Sequence, residues 1–255
     1  MTELDRPIEG GERELRFPVQ SIGLLYLNES DSDQEWECYG EAQGLIRIPN
    51  RKCVRLDVTR AVTEEDRSFF ISFGKQDIQI LQFSGPQFTN DNMPPITTLT
   101  DLRRLRLIST KITDLNIIGL PSLPELIELN LAHSPINCEG LKPLRVTNKI
   151  EKLILFNNKI SGYCLNYIGK MLSLRTLSLR LNDISDDGLG FLKELYNLRE
   201  LDVSDTRISD NGLTHLAKLA SLQKLYAERT SLSSSGLYFL TTVLPDCEVF
   251  QTNAS

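Results

Sequence analysis

The sequence predicts an α/β solenoid: a right-handed horseshoe arc with a parallel concave sheet, short convex helices and an N-terminal β cap. Three observations carry this. An aliphatic residue returns every 24 residues, at Leu102, Leu126, Ile150, Leu174, Leu198 and Leu222. Inside each unit the same comb recurs, as in Leu102, Leu105, Leu107, Thr110 and Ile112, and again in Leu174, Leu177, Leu179, Asn182 and Ile184. A polar stretch with short apolar runs stands in front of the first unit, where a stack of repeats needs a cover for its core.

The elements follow in chain order. Residues 1–14 are charged and contain glycine, and read as a disordered tail. Residues 15–52 read as the cap, with strands over 17–27, 36–39 and 44–49 and a polar turn over 28–33. Trp36, the single tryptophan, is assigned to the cap core. Residues 53–250 hold about eight repeats, of which the first two are degenerate: Cys53, Leu56 and Val58, then Ile78, Leu81, Phe83, Pro86 and Phe88.

In each later repeat the two residues of the Leu-x-Leu step share one face of a short strand, because strand side chains alternate with period two. The ninth position is Thr110, Ser134, Asn158, Asn182, Thr206 or Thr230. Such a side chain turns inward and bonds the backbone of the buried turn, whose polar groups need partners. A mixed column is expected to hold that seam less firmly than an all-Asn one. Behind the strand, Ser185 and Ser209 are expected to cap helices whose first turns carry Asp186, Asp187 and Asp210. Pro121, Pro124 and Pro143 predict irregular or 3₁₀ pieces in the third and fourth repeats. Residues 244–250 read as a truncated last strand and 251–255 as a fraying tail.

The pattern LxxLxLxxNxI, with the turns Ile184-Ser185-Asp186-Asp187-Gly188-Leu189 and Ile208-Ser209-Asp210-Asn211-Gly212-Leu213, resembles the leucine-rich repeat proteins, bacterial ones in particular. The turns are also similar to those of F-box substrate receptors, although no F-box-like helical segment stands upstream. The resemblance covers about residues 53–250 and implies a protein-binding scaffold.

Chemistry is sparse. The net charge of −6 and pI of about 5.1 argue against a general nucleic-acid or anionic-membrane binder. No apolar run reaches the ~20 residues of a spanning helix, and the acidic N-terminus is no secretory signal. The five cysteines, Cys38, Cys53, Cys138, Cys164 and Cys247, lack CxxC spacing and read as reduced thiols of a cytoplasmic protein. Cys138 and Cys164 lie on adjacent repeats at different offsets, which disfavours a bridge. Phosphate-loop, dinucleotide, zinc-protease and hydrolase motifs are missing. The two histidines, His133 and His215, fall ~14 Å apart along the axis and on different faces, too far to share a metal or a triad. Asp183, Asp186 and Asp187 lack the alternation and distal Glu of a calcium loop. No catalytic residue, cofactor or metal is therefore expected, and a Cys138 or Cys164 hydrolase has no histidine to serve it.

The strand positions that alternate with the leucines face the concave solvent side. Most are polar. Apolar ones gather on the third to sixth repeats, at Ile108, Ile154, Phe156 and Leu181, with Arg106 and Arg180 nearby and Tyr226 further along. An apolar group rimmed by arginine is the composition of an interface hot spot. These seven residues are the expected site for a protein or peptide partner. The alternative is an adaptor of the F-box ubiquitin-ligase type, recruiting a substrate to a separate enzyme.

Overall fold

The computed structural model describes residues 11–31, 35–74, 77–92 and 96–251. Strands β1 (Glu12–Arg16), β2 (Gly23–Asn28), β3 (Glu37–Glu41) and β4 (Leu45–Pro49) form the N-terminal end. β1 and β4 pair antiparallel as a small sheet of their own. β2 pairs antiparallel with β3 on one side and with β5 (Cys53–Val58) on the other, which splices the cap onto the main sheet. From β5 on, all neighbours are parallel: β6 (Ile80–Ser84), β7 (Arg104–Ile108), β8 (Glu128–Asn130), β9 (Lys152–Ile154), β10 (Thr176–Ser178), β11 (Glu200–Asp202), β12 (Lys224–Tyr226) and β13 (Glu248–Phe250). The convex side carries α1 (Glu64–Ile71), α2 (Asp114–Ile117), α3 (Cys138–Leu141), α4 (Leu165–Ile168), α5 (Asp186–Leu189), α6 (Asp210–Leu216) and α7 (Ser234–Val243). Short 3₁₀ turns at Leu120–Ser122 and Lys142–Val146 hold Pro121 and Pro143, as their missing N–H predicts.

The cap departs from expectation in three places. β1 begins at Glu12, inside the expected tail, because Arg13 donates from its guanidinium to the carbonyls of Pro49, Asn50 and Lys52. Residues 17–27 do not form one strand. The Phe17 amide crosses to the Gly44 carbonyl, Pro18 has no N–H to continue the ladder, and β2 starts only at Gly23. Trp36 is half-buried and outside the cap core, which consists of Leu15, Phe17, Ile22, Leu25, Leu27, Ala42 and Ile48. The expected tails over 1–10 and 252–255 and the turn residues 32–34 lie outside the described residues.

Consecutive repeats meet along three seams. The leucine comb forms one continuous buried core from the cap to Leu244. The second seam is the ninth position. Asn182 donates through Nδ2 to the carbonyls of Leu155, Leu179 and Arg180 (2.7, 3.0 and 3.2 Å) and accepts through Oδ1 from the amides of Asn158 and Ile160 (3.1 and 3.2 Å). It thus ties two repeats together. Asn158 reaches the carbonyl of Leu131 in the preceding repeat in the same way. Ser134 also crosses, donating to the Leu107 carbonyl and meeting the Thr110 hydroxyl, whereas the Thr206 and Thr230 hydroxyls donate to Val203 and Ala227 of their own repeats.

The third seam is convex. Asp186 accepts from the amide and hydroxyl of Ser209 in the next repeat (2.7 and 2.6 Å), and Asp210 does the same with Ser233 (2.8 and 2.5 Å). Asn90 bonds Thr113, and Asp114 accepts from the Asn137 amide, at equivalent positions. These carboxylates do more than the expected helix-dipole work, since each closes the joint to the following repeat. The glycine of each next turn makes room for the acid. A Cβ on Gly140, Gly212 or Gly236 would stand 2.3, 2.6 or 2.1 Å from Oδ1 of Asp114, Asp186 or Asp210.

One step of this seam is covalent. Cys138 and Cys164 are joined by a disulfide, with Cα atoms 4.8 Å apart and a sequence separation of 26. This corrects the expectation of five reduced thiols. The different offsets of the two cysteines are the reason they meet: the facing slots of this seam are 26 residues apart, as Asp114 is from Gly140 and Asp186 from Gly212. The cysteines take the acid and glycine slots of one joint. In the next joint both slots are glycine, Gly162 and Gly188, and the two backbones touch.

Candidate binding face

The strand register decides which side chains share the concave face. Arg106, Asn130, Ile154, Ser178, Asp202, Tyr226 and Phe250 are successive register partners and form one row across β7 to β13. Two residues further along each chain run Ile108, Ala132, Phe156, Arg180, Ser204 and Glu228, on the same face by strand alternation. Beyond them the backbone turns through the left-handed region at Ser109, His133, Asn157, Leu181, Asp205 and Arg229, with φ between 51° and 57°. The turn ends each strand and aims an amide at the next repeat: the Leu181 amide donates to the Ser204 carbonyl at 3.0 Å and that of Asp205 to Glu228 at 2.8 Å. Asn, Asp and His tolerate this conformation, whereas Leu181 carries it at a cost of ~1–2 kcal/mol.

Around Phe156 the expected cluster assembles. The His133 ring packs edge-on against it, centroids 4.4 Å apart, and the Arg180 guanidinium lies over it at 5.6 Å. Arg180 also pairs with Asp205 at 3.0 Å, and Asn157 Nδ2 meets His133 Nδ1 at 2.7 Å. Leu181 stays 43% exposed on the rim, whereas Ile108 and Ile154 are half-buried.

Arg106 and Tyr226 are not part of this group. Arg106 bonds Glu128 at 2.7 Å, and Arg104 (3.4 Å) and Lys152 (3.6 Å) share the same buried carboxylate. Tyr226 is three strands beyond Ile154. It stacks on Phe250 with centroids 4.7 Å apart and planes within 13°. Sequence reasoning missed three participants. They are His133, Phe250 and Asp205. The 24-residue step from Asn157, next to Phe156, back to His133 was the available signal for the first. The step from Tyr226 to Phe250 was the signal for the second.

Asp205 is held below the usual carboxylate range, chiefly by its bonds from Arg229 and further by Arg180. Burial pushes the Cys247 thiol up to about 11. Among the described residues no group of three or more His, Cys, Asp or Glu is placed to hold a metal ion. Nor is any helix among them long and apolar enough to cross a membrane.

A profile described as "Leucine Rich repeat" matches residues 170–193 and 197–217, the two most regular units. Among solved structures, the chain is similar to an internalin C2 of Listeria monocytogenes, at 25% identity and TM-score 0.52 over 76% of this chain and 78% of that one. It is also similar to an internalin (inlF) of the same organism, with 18% identity and TM-score 0.55 over 77% of this chain and 58% of that one; this second likeness shows the fold alone. No curated protein matches the sequence.

Proposed function

From its membership of the leucine-rich repeat proteins, we propose that this chain is a non-catalytic interaction module that holds a protein or peptide partner on its concave face. Stacked repeats give an extended concave surface suited to that task. The observation that carries the reading is Leu181, an aliphatic side chain kept exposed in a left-handed turn beside the Phe156–Arg180 pair. Core packing does not call for a leucine there, since the same turn carries Ser109, His133, Asn157, Asp205 and Arg229 in the other repeats. Five of the predicted residues form the site and a sixth borders it. Phe156, Arg180 and Leu181 form the contact centre, Ile108 and Ile154 its apolar flank, and Arg106 a basic margin clamped by Glu128. No observation favours the enzyme-recruiting alternative over this one.

The compartment follows the disulfide. A disulfide such as Cys138–Cys164 is a feature of oxidising surroundings and runs against the cytoplasmic expectation.

The test is affinity capture with mass spectrometry, comparing wild type with Ile154→Ser/Phe156→Ser/Leu181→Ser after matching their circular dichroism and melting. A protein retained by the first and lost by the second supports the reading. Identical capture by both would refute the concave contact centre.

A further inference from the structure

We propose that the last three strands form a separate docking site for a cationic segment of the partner, in which an arginine side chain stacks on the Tyr226–Phe250 pair. This rests on the concave reading above and adds the partner's chemistry at that end. Two independent features meet there. The first is aromatic: Phe250 is 39% exposed and β13 lies at the edge of the sheet among the described residues, with no described strand against the ring face turned away from Tyr226.

The second is charge. On the concave side of β11 to β13 and their turns, five carboxylates (Glu200, Asp202, Asp205, Glu228, Glu248) stand with two cations (Lys224, Arg229). Lys224 pairs with Glu200 at 3.3 Å and Arg229 with Asp205 at 2.5 Å. Asp202, Glu228 and Glu248 then share one long ion pair among the described residues, Arg229 to Glu228 at 3.7 Å. These three acids frame the rings. Asp202 is the register partner of Tyr226, while Glu228 and Glu248 sit two residues after Tyr226 and before Phe250 on the same faces. The far half of the face has the opposite sign, with Arg104, Arg106 and Lys152 around Glu128. Asp202 accepts from the Ser178 hydroxyl and the Ser204 amide but has no cation against it among the described residues. An exposed ring beside acids without a close cation suits a planar guanidinium, which stacks and forks onto a carboxylate together.

The probe is a capped peptide of alternating Arg and Gly, titrated calorimetrically into the full chain at low salt, beside its Lys-Gly and Glu-Gly counterparts. We expect Arg-Gly to bind more tightly than Lys-Gly, and Glu-Gly not to bind. Phe250→Leu, which keeps the apolar volume, should weaken Arg-Gly about fivefold. Asp202→Asn/Glu248→Gln should weaken it further, while Ile154→Ser/Phe156→Ser/Leu181→Ser leaves it unchanged. Equal binding by Phe250→Leu, preference for Glu-Gly, or no Arg-Gly binding by a folded chain would each overturn the proposal. Loss of partner capture in the triple variant with no Arg-Gly binding would sink this site and leave the contact centre standing.

Discussion

Reducing the Cys138–Cys164 bridge should loosen the solenoid at one identifiable joint. The bond closes a loop of 26 residues. In the chain-entropy account a loop of that size stabilises the fold by about 3.5 kcal/mol. For a domain of this length that corresponds to a melting shift of roughly 7–14 °C. The assay is calorimetry of oxidised chain, of chain with reductant, and of Cys138→Ser/Cys164→Ser. A fourth sample, Cys138→Asp/Cys164→Gly, rebuilds the neighbouring pattern, in which Asp186 accepts from the amide and hydroxyl of Ser209 and Gly212 makes room. Its carboxylate would meet Ser161, and about half of the lost stability should return. Thiol titration of the denatured, unreduced chain supplies a second reading: three free cysteines of five are expected, Cys38, Cys53 and Cys247. Five free thiols, or an oxidised and a reduced chain melting together, would refute the reasoning.

Four further outcomes follow from the seams and the first repeat. Asn182→Ala should cost about 3 kcal/mol in urea unfolding because it strands amides and carbonyls of two repeats, against about 1 kcal/mol for Thr206→Ala. Equal losses would show that the ladder does not bridge repeats. Gly162→Asp should lower the melting temperature despite the Ser185 hydroxyl 3.9 Å from its Cβ, since that Cβ would stand 3.2 Å from the Gly188 Cα, where the two backbones already touch. Gly188→Ala should lower it, because its Cβ would meet the Gly162 backbone at 2.7 Å; a rise there would contradict the close approach. Burial pushes the Asp66 carboxyl up, but two bonds from Arg60 and those from Thr63 outweigh it and hold it below its ordinary value. A depressed pKa contributes stability above the unfolded value of about 3.9 and loses it as pH falls through the folded one. Asp66→Asn should therefore lower the denaturation midpoint at pH 7, with the gap to wild type closing in acid below about pH 4; a constant gap would exclude ionisation as the cause.

Of the candidate face, much was legible before any coordinates. The Leu-x-Leu step named every concave position from Arg106 to Tyr226, and the strand register places them in those rows. What the rows do was not legible. Arg106 and Arg180 look alike in sequence. Yet one is committed to a buried carboxylate and the other lies over an aromatic ring, because the acid that decides between them comes from a neighbouring repeat.

The same division runs through the whole protein. Periodicity alone determined the solenoid, its strand order and its core, because a repeat of constant length stacks on its neighbours in one way, and 24-residue spacing then becomes adjacency. Tertiary structure decided whatever depends on an offset from that period. The convex slots meet at 26 residues, so Cys138 finds Cys164, and Asp186 finds the space left by Gly212. The left-handed turn that lifts Leu181 into solvent leaves no mark in the residue types, since Ser, His, Asn, Leu, Asp and Arg all occupy it. The cap has no period at all. Its strands are set by where Pro18 breaks the ladder and where Arg13 finds carbonyls, and those are contacts between segments more than 25 residues apart.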